Sequence, residues 1–152
     1  MVPTEASGLP STPVTDVLIA SDAPWVRDDV KAVLDPAEFT VQEVTRGRDV
    51  LPAVREAMPD LAVLDLQIGK MGGMATCMEL RLEEGADRLD HVPVLMLLDR
   101  RADVFLARRA GAEGFLVKPL DPMRLSRAIR AVLAGGTYDD PAFRPETVSA
   151  TA

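Results

Sequence analysis

Cysteine and histidine are nearly absent: Cys77 and His91 are the single examples of each among 152 residues. One cysteine excludes an internal disulfide and a thiolate zinc site. One histidine argues against a histidine-based metal cluster and a Ser-His-Asp triad. Long hydrophobic runs are missing too. The longest apolar stretch, Val92 to Leu98, falls far short of the roughly 18–20 residues that a membrane-spanning helix needs. The opening segment MVPTEASGLPSTPVTD has no cationic start and no apolar core, so no secretory signal is expected and a cytoplasmic protein is the reading. Positive charge is not in excess. Seventeen Lys/Arg stand against 24 Asp/Glu for a net charge of −7, which argues against general nucleic-acid binding.

What is present is an ordinary soluble balance, 47% hydrophobic and 27% charged, in a length that suits one domain able to bury a core without metal or disulfide. The charge is unevenly placed. Residues 100–134 carry eight Lys/Arg (Arg100, Arg101, Arg108, Arg109, Lys118, Arg124, Arg127, Arg130) and three acids, so this stretch is +5 while the remainder is −12. Such a split marks either a partner-binding face or solvated helix surfaces. Residues 1–14 and 137–152 are rich in proline and small polar residues and are expected to be flexible tails around a domain at 15–136.

Between them, apolar runs alternate with helical patterns. Val17–Ala20, Leu61–Leu64, Val92–Leu98 and Phe115–Val117 read as buried strands, and Phe39–Val44 alternates like a half-buried edge strand. Helices are expected over 24–34, 48–58, 74–84, 103–110 and 121–133, with Pro52 tolerated in a first turn and Gly135-Gly136 ending the last. Five βα units in about 120 residues predict an α/β fold. It is a doubly wound, five-stranded parallel sheet in a three-layer sandwich. In such sheets the site lies beyond the carboxyl ends of the strands. The residues there are Ser21-Asp22, Asp65, Leu98-Asp99 and Lys118-Pro119. Two carboxylates converging at one rim call for a cation, and magnesium takes one or two carboxylates, waters and a phosphate oxygen. Lys118 adds a point charge for the same phosphate. Asp65 is then a candidate nucleophile for phosphoryl transfer, a reaction that needs mainly positioning and charge neutralisation.

The segments VLIASDAPWVR, PDLAVLDLQIGKMGG, VPVLMLLDR and AGAEGFLVKPL, in this order over roughly residues 15–134, resemble the receiver domains of bacterial two-component response regulators. The resemblance implies the (βα)5 flavodoxin-like fold and phosphorylation of Asp65. It implies magnesium held by Asp22, Asp65 and the backbone carbonyl of Gln67, with Lys118 contacting the phosphoryl group and Phe115 at the place of a switching aromatic. It implies a signalling protein rather than an enzyme. The expected partners are a histidine kinase or phosphotransfer protein and a downstream protein target on the 100–134 basic face, with a possible homodimer through that face and neither nucleic acid nor membrane. The 18 residues after Ala134 leave no room for an output domain in this reading.

Three positions depart from the family pattern. Ser21 replaces the first of two adjacent acids, which lowers the expected magnesium affinity. Leu98 replaces the threonine or serine that bonds the phosphoryl oxygen and draws the next loop inward, and leucine has no donor. Asp99 replaces a small residue and puts an anion beside the phosphoryl entrance, unless Arg100 or Arg101 pairs with it. Gly69, where proline is frequent, is expected to loosen the loop after Asp65. These departures sustain an alternative, a pseudo-receiver that binds a partner whatever the state of Asp65. A flavin-binding protein or small doubly wound enzyme is disfavoured, because the Ser21–Pro24 loop has no glycine and only Trp25 offers a stacking ring. An RNA-binding antitermination regulator is disfavoured by the short proline-rich C-terminus. Cys77 is expected in the core, His91 in an exposed turn, and Arg124, Arg127 and Arg130 on neighbouring turns of the last helix.

Overall fold

A computed structural model describes residues 14–141. Strands β1 (Thr15–Ala20), β2 (Phe39–Val44), β3 (Leu61–Asp65), β4 (Val94–Leu98), β5 (Gly114–Val117) and β6 (Tyr138–Asp139) alternate with helices α1 (Pro24–Ala32), α2 (Val50–Glu56), α3 (Gly73–Gly85), α4 (Val104–Ala110) and α5 (Pro122–Leu133). The strand order is β2-β1-β3-β4-β5-β6 and every pairing is parallel. The continuous apolar strands follow from burial on both faces, since β3, β4 and β5 are buried at every position.

Side-chain alternation divides the core in two. Leu18, Ala20, Ala62, Leu64, Val94, Met96 and Leu98 face α2, α3 and α4. Val17, Ile19, Leu61, Val63, Leu95 and Leu97 face α1 and α5. The period of two along each strand therefore builds both interfaces of the sandwich. Each strand ends where its apolar run ends, so the last polar residue is delivered to the rim.

The five expected strands are all present. Two expectations are corrected. The second helix is not one element over 48–58, because a 3-10 turn at Gly47–Asp49 precedes α2, with Pro52 in the first turn of the α segment. Residues 138–140 are not part of a tail. Tyr138 and Asp139 extend the sheet beside Gly114 and Phe115. The fully buried Asp140 accepts the Val117 N–H at 3.2 Å and pairs with Arg124 at 2.9 Å. A two-residue strand carries no periodicity, and its anchors are polar contacts across 16 to 31 residues of sequence. The tails predicted at 1–14 and from 137 otherwise lie almost wholly outside the described residues.

Candidate functional site

Four strand ends meet around one carboxylate. Asp65 closes β3 and is 1% exposed. Its Oδ1 accepts from Lys118 Nζ at 2.8 Å and from the Gln67 N–H at 3.1 Å, and its Oδ2 accepts from Ser21 Oγ at 2.7 Å. Three of its roughly four acceptor directions are thus filled. Ser21, fully buried one residue beyond β1, also accepts the Ala23 N–H through Oγ at 3.1 Å. Its carbonyl accepts from Arg27 of α1 at 2.8 Å.

Lys118 follows β5, and the Lys118–Pro119 peptide bond is cis. Its ammonium is shared. Besides Asp65 it contacts Asp99 Oδ1 at 3.0 Å, and it stands 5.6 Å from the centre of the Trp25 ring. Burial acts to lower the Lys118 pKa, but hydrogen bonds and charge from Asp65 and Asp99 outweigh it and leave the group above the ordinary lysine value. Asp99 was expected to oppose the phosphoryl entrance or to pair with Arg100 or Arg101. It instead pairs with the site lysine, while Arg100 bonds Asp103 at 3.1 Å across the turn before α4.

Asp22 is exposed and does not cap α1, whose N-cap is Ala23 without a side-chain bond. Asp22 Oδ2 instead accepts the Gly69 N–H at 3.0 Å. That bond corrects the expectation of a loosened loop. The Gly69 and Lys70 carbonyls accept from the N–H groups of Gly47 and Arg48 at 3.0 and 2.9 Å, and Lys70 and Met71 adopt left-handed φ values of 55° and 87°. The segment after Asp65 is folded over the 3-10 turn and tied at both sides.

Asp22, Asp65 and the Gln67 carbonyl are all hard oxygen donors, the type that magnesium prefers. The Gln67 carbonyl accepts no backbone hydrogen bond among the described residues. No group of three or more acids, histidines or cysteines able to hold a metal occurs among them either. The donor set fits a magnesium ion that draws its remaining ligands from water and a phosphate oxygen.

The other singled-out residues fall elsewhere. Leu98 is fully buried, and its carbonyl accepts the Lys118 N–H at 2.7 Å. Phe115 is 2% exposed under Arg108, whose guanidinium lies 5.7 Å from the ring centre. Cys77 is in the core on α3. The exposed His91 lies before β4, its ring nitrogens 2.7 Å from Glu84 and Glu113, away from the strand-end rim. On the basic face, Arg108 pairs with Asp139 and Arg124 with Asp140. Arg127 and Arg130 are exposed. The Ser21, Asp99 and Trp25 contacts were not anticipated, and only the position of Ser21 and Asp99 at strand ends pointed toward them.

Residues 17–130 match the family described as the response regulator receiver domain. The chain is 34% identical over 128 residues to the DNA-binding response regulator MtrA of Mycolicibacterium smegmatis, covering 83% of this chain and 53% of that protein. It is 34% identical over 134 residues to the transcriptional regulatory protein CseB of Streptomyces avermitilis, covering 86% and 54%. The chain therefore spans about half the length of these curated relatives. Among solved structures, a LuxR-family two-component response regulator from Aurantimonas superposes with a TM-score of 0.74 at 27% identity, over 86% of this chain and 93% of that one. The chemotaxis response regulator CheY4 of Vibrio cholerae gives a TM-score of 0.69 at 25% identity, over 79% and 99%. With the strand order, the rim carboxylates and the lysine already in place, the conclusion is that this chain belongs to the response regulator receiver domain family.

Proposed function

We propose that the chain is a cytoplasmic signalling receiver that accepts a phosphoryl group on Asp65 from a histidine kinase or phosphotransfer protein, and passes the signal on by protein contact. The observation that carries this reading is the 2.8 Å contact between Lys118 Nζ and Asp65 Oδ1. A buried carboxylate held by an ammonium, with an exposed carboxylate and the Gln67 carbonyl nearby, suits attack on phosphorus. Magnesium held by Asp22, Asp65 and Gln67 would neutralise charge on the transferring phosphoryl group. An Asp65 oxygen forms the new O–P bond as the bond to the donor's leaving group breaks. Three of the carboxylate's roughly four acceptor directions are taken, and the one left on Oδ2 serves that attack. Output through the 100–134 face, to a protein target or a second copy, is part of the proposal.

Intact mass after incubation with phosphoramidate and magnesium tests it. One phosphoryl adduct on the wild type and none on Asp65→Asn is the expected result. No adduct at any magnesium concentration overturns it.

A second reading is favoured by Leu98. Its side chain is fully buried and offers no hydrogen bond to a phosphoryl oxygen. The fold would then serve as a constitutive binding module, and partner binding would be unchanged in Asp65→Asn.

A further inference from the structure

The Lys118 ammonium has three donors and three neighbours: Asp65 Oδ1 at 2.8 Å, Asp99 Oδ1 at 3.0 Å and the face of Trp25 at 5.6 Å. Lys118 is 10% exposed in its side chain and Asp99 38%, so the pair joins a held cation to an acid on the open loop between β4 and α4. The neighbouring arginine does not compete, because Arg100 is bonded to Asp103, which is itself 2% exposed. Leu98, one residue earlier, is buried in the cluster that holds Val104 and Phe115 and has no donor to offer the site. The start of the β4–α4 loop is thus tied to the site by an ion pair to the lysine.

We propose that Asp99 is a positioning residue that holds the β4–α4 loop onto Lys118 in the unphosphorylated chain and competes with the phosphoryl group for that ammonium. The inference rests on the reading of Asp65 as phosphoacceptor. A phosphoryl group on Asp65 carries its negative charge into the space that Lys118 serves. It draws the ammonium toward its own oxygens and repels the Asp99 carboxylate. The loop is then released on phosphorylation. A hydroxyl at position 98 would have the opposite effect, since it would bond the phosphoryl oxygen and draw the loop in. Asp99 therefore both slows phosphorylation and fixes the direction of the change that follows it.

The test uses the full chain with phosphoramidate and magnesium. The Asp65 carboxylate forms its O–P bond, the P–N bond breaks, and nitrogen leaves as ammonia with the bonding electron pair. Wild type, Asp99→Asn, Asp99→Ala and Asp99→Glu are compared, with Asp65→Asn as the blank. The readouts are the rate of adduct formation and amide hydrogen exchange over residues 99–104. Asp99→Asn and Asp99→Ala are expected to gain the adduct about two- to fivefold faster, the size of one exposed charge pair. Asp99→Glu, which keeps the charge, stays near the wild-type rate. Loop amides exchange faster in Asp99→Asn before phosphorylation, and in the wild type only after it. Equal rates and equal exchange in wild type and Asp99→Asn overturn the inference. So does an adduct on both with slower loop exchange in the phosphorylated wild type, and that result leaves the phosphoacceptor reading standing. No adduct on any variant ends the phosphoacceptor reading and the competition together.

Discussion

The buried hydroxyl of Ser21 donates to Asp65 Oδ2 at 2.7 Å across the junction of β1 and β3. Ser21 stands where the family pattern has an acid, so a neutral donor takes the place of a second negative charge against Asp65. The exchange makes the site stable without a cation, since a carboxylate there would sit unpaired beside another.

Ser21→Asp tests that trade directly. The variant is expected to lose about 1–3 kcal/mol of stability without metal, because like charges meet in a buried place. It is also expected to bind magnesium more tightly, since a third carboxylate joins the donor set. Thermal unfolding across a magnesium series measures both. A hundredfold excess over the dissociation constant adds about 2.7 kcal/mol, so the variant's midpoint should climb at lower magnesium than the wild type's. A variant no more responsive to magnesium than the wild type would show that Ser21 lies outside the metal site.

Leu98→Thr asks whether the missing hydroxyl is what separates this chain from a conventional switch. The substitution removes apolar contacts at a fully buried position and leaves a hydroxyl to satisfy, at a cost of about 1–3 kcal/mol. On phosphorylation the hydroxyl gains a charge-assisted bond worth about 1.5–3 kcal/mol. Amide exchange over residues 99–104 should therefore slow on phosphorylation of Leu98→Thr, the reverse of the wild type. Unchanged exchange in the variant would show that position 98 does not reach the phosphoryl group.

The strands and the site acids were legible because their signals are local. An uninterrupted apolar run that stops at Asp65 announces both the strand and the residue at its end. The contacts that give the site its character were not local. Lys118 and Asp65 are 53 residues apart, and Ser21 and Asp65 are 44 apart. Asp99 has arginines beside it in sequence, yet the turn at Arg101–Asp103 turns Arg100 back to Asp103, and Asp99 pairs with the lysine. The Gly69 loop read as loose because glycine is permissive, whereas its N–H is held by Asp22 and its carbonyl by the Gly47 N–H. Strand β6 was hidden because Asp139 and the following Asp140 look like tail composition until the Arg108 and Arg124 side chains are seen to take them.

Cys77 supplies a pH prediction. Burial pushes its thiol up to about 11, a rise that the nearby Arg81 charge only partly opposes. A folded pKa above the unfolded one means that the neutral thiol contributes its stability fully at lower pH. The contribution is lost as pH rises through the folded value. Lys118, also raised, loses its contribution in the same direction. Urea midpoints should fall from about pH 8.5 upward, with a slope of up to about 1.4 kcal/mol per pH unit from the thiol. Cys77→Ala should show a shallower alkaline fall. Because the thiolate is the reactive form, iodoacetamide at neutral pH should label the urea-unfolded chain and spare the native one. Rapid labelling of the native chain would place Cys77 nearer the surface than its burial on α3 allows.

Two glycines of α3 separate a residue that the site needs from one it does not. A Cβ on Gly73 would lie 2.5 Å from the Asp65 carbonyl oxygen and 2.8 Å from Leu66 Cα. Both obstacles are backbone, so Gly73→Ala must push the helix start away from the end of β3 at about 1–3 kcal/mol. A Cβ on Gly85 would meet nothing within 4 Å. Gly85→Ala therefore gains about 0.5–1 kcal/mol from reduced unfolded-chain freedom and better helix propensity. Urea denaturation of the two variants should move the midpoint in opposite directions. Only Gly73→Ala should also slow phosphorylation, because the displaced backbone is that of Asp65 itself. Equal stability changes, or slowing in Gly85→Ala, would mean that the close approach of α3 to β3 does not set the position of the acceptor.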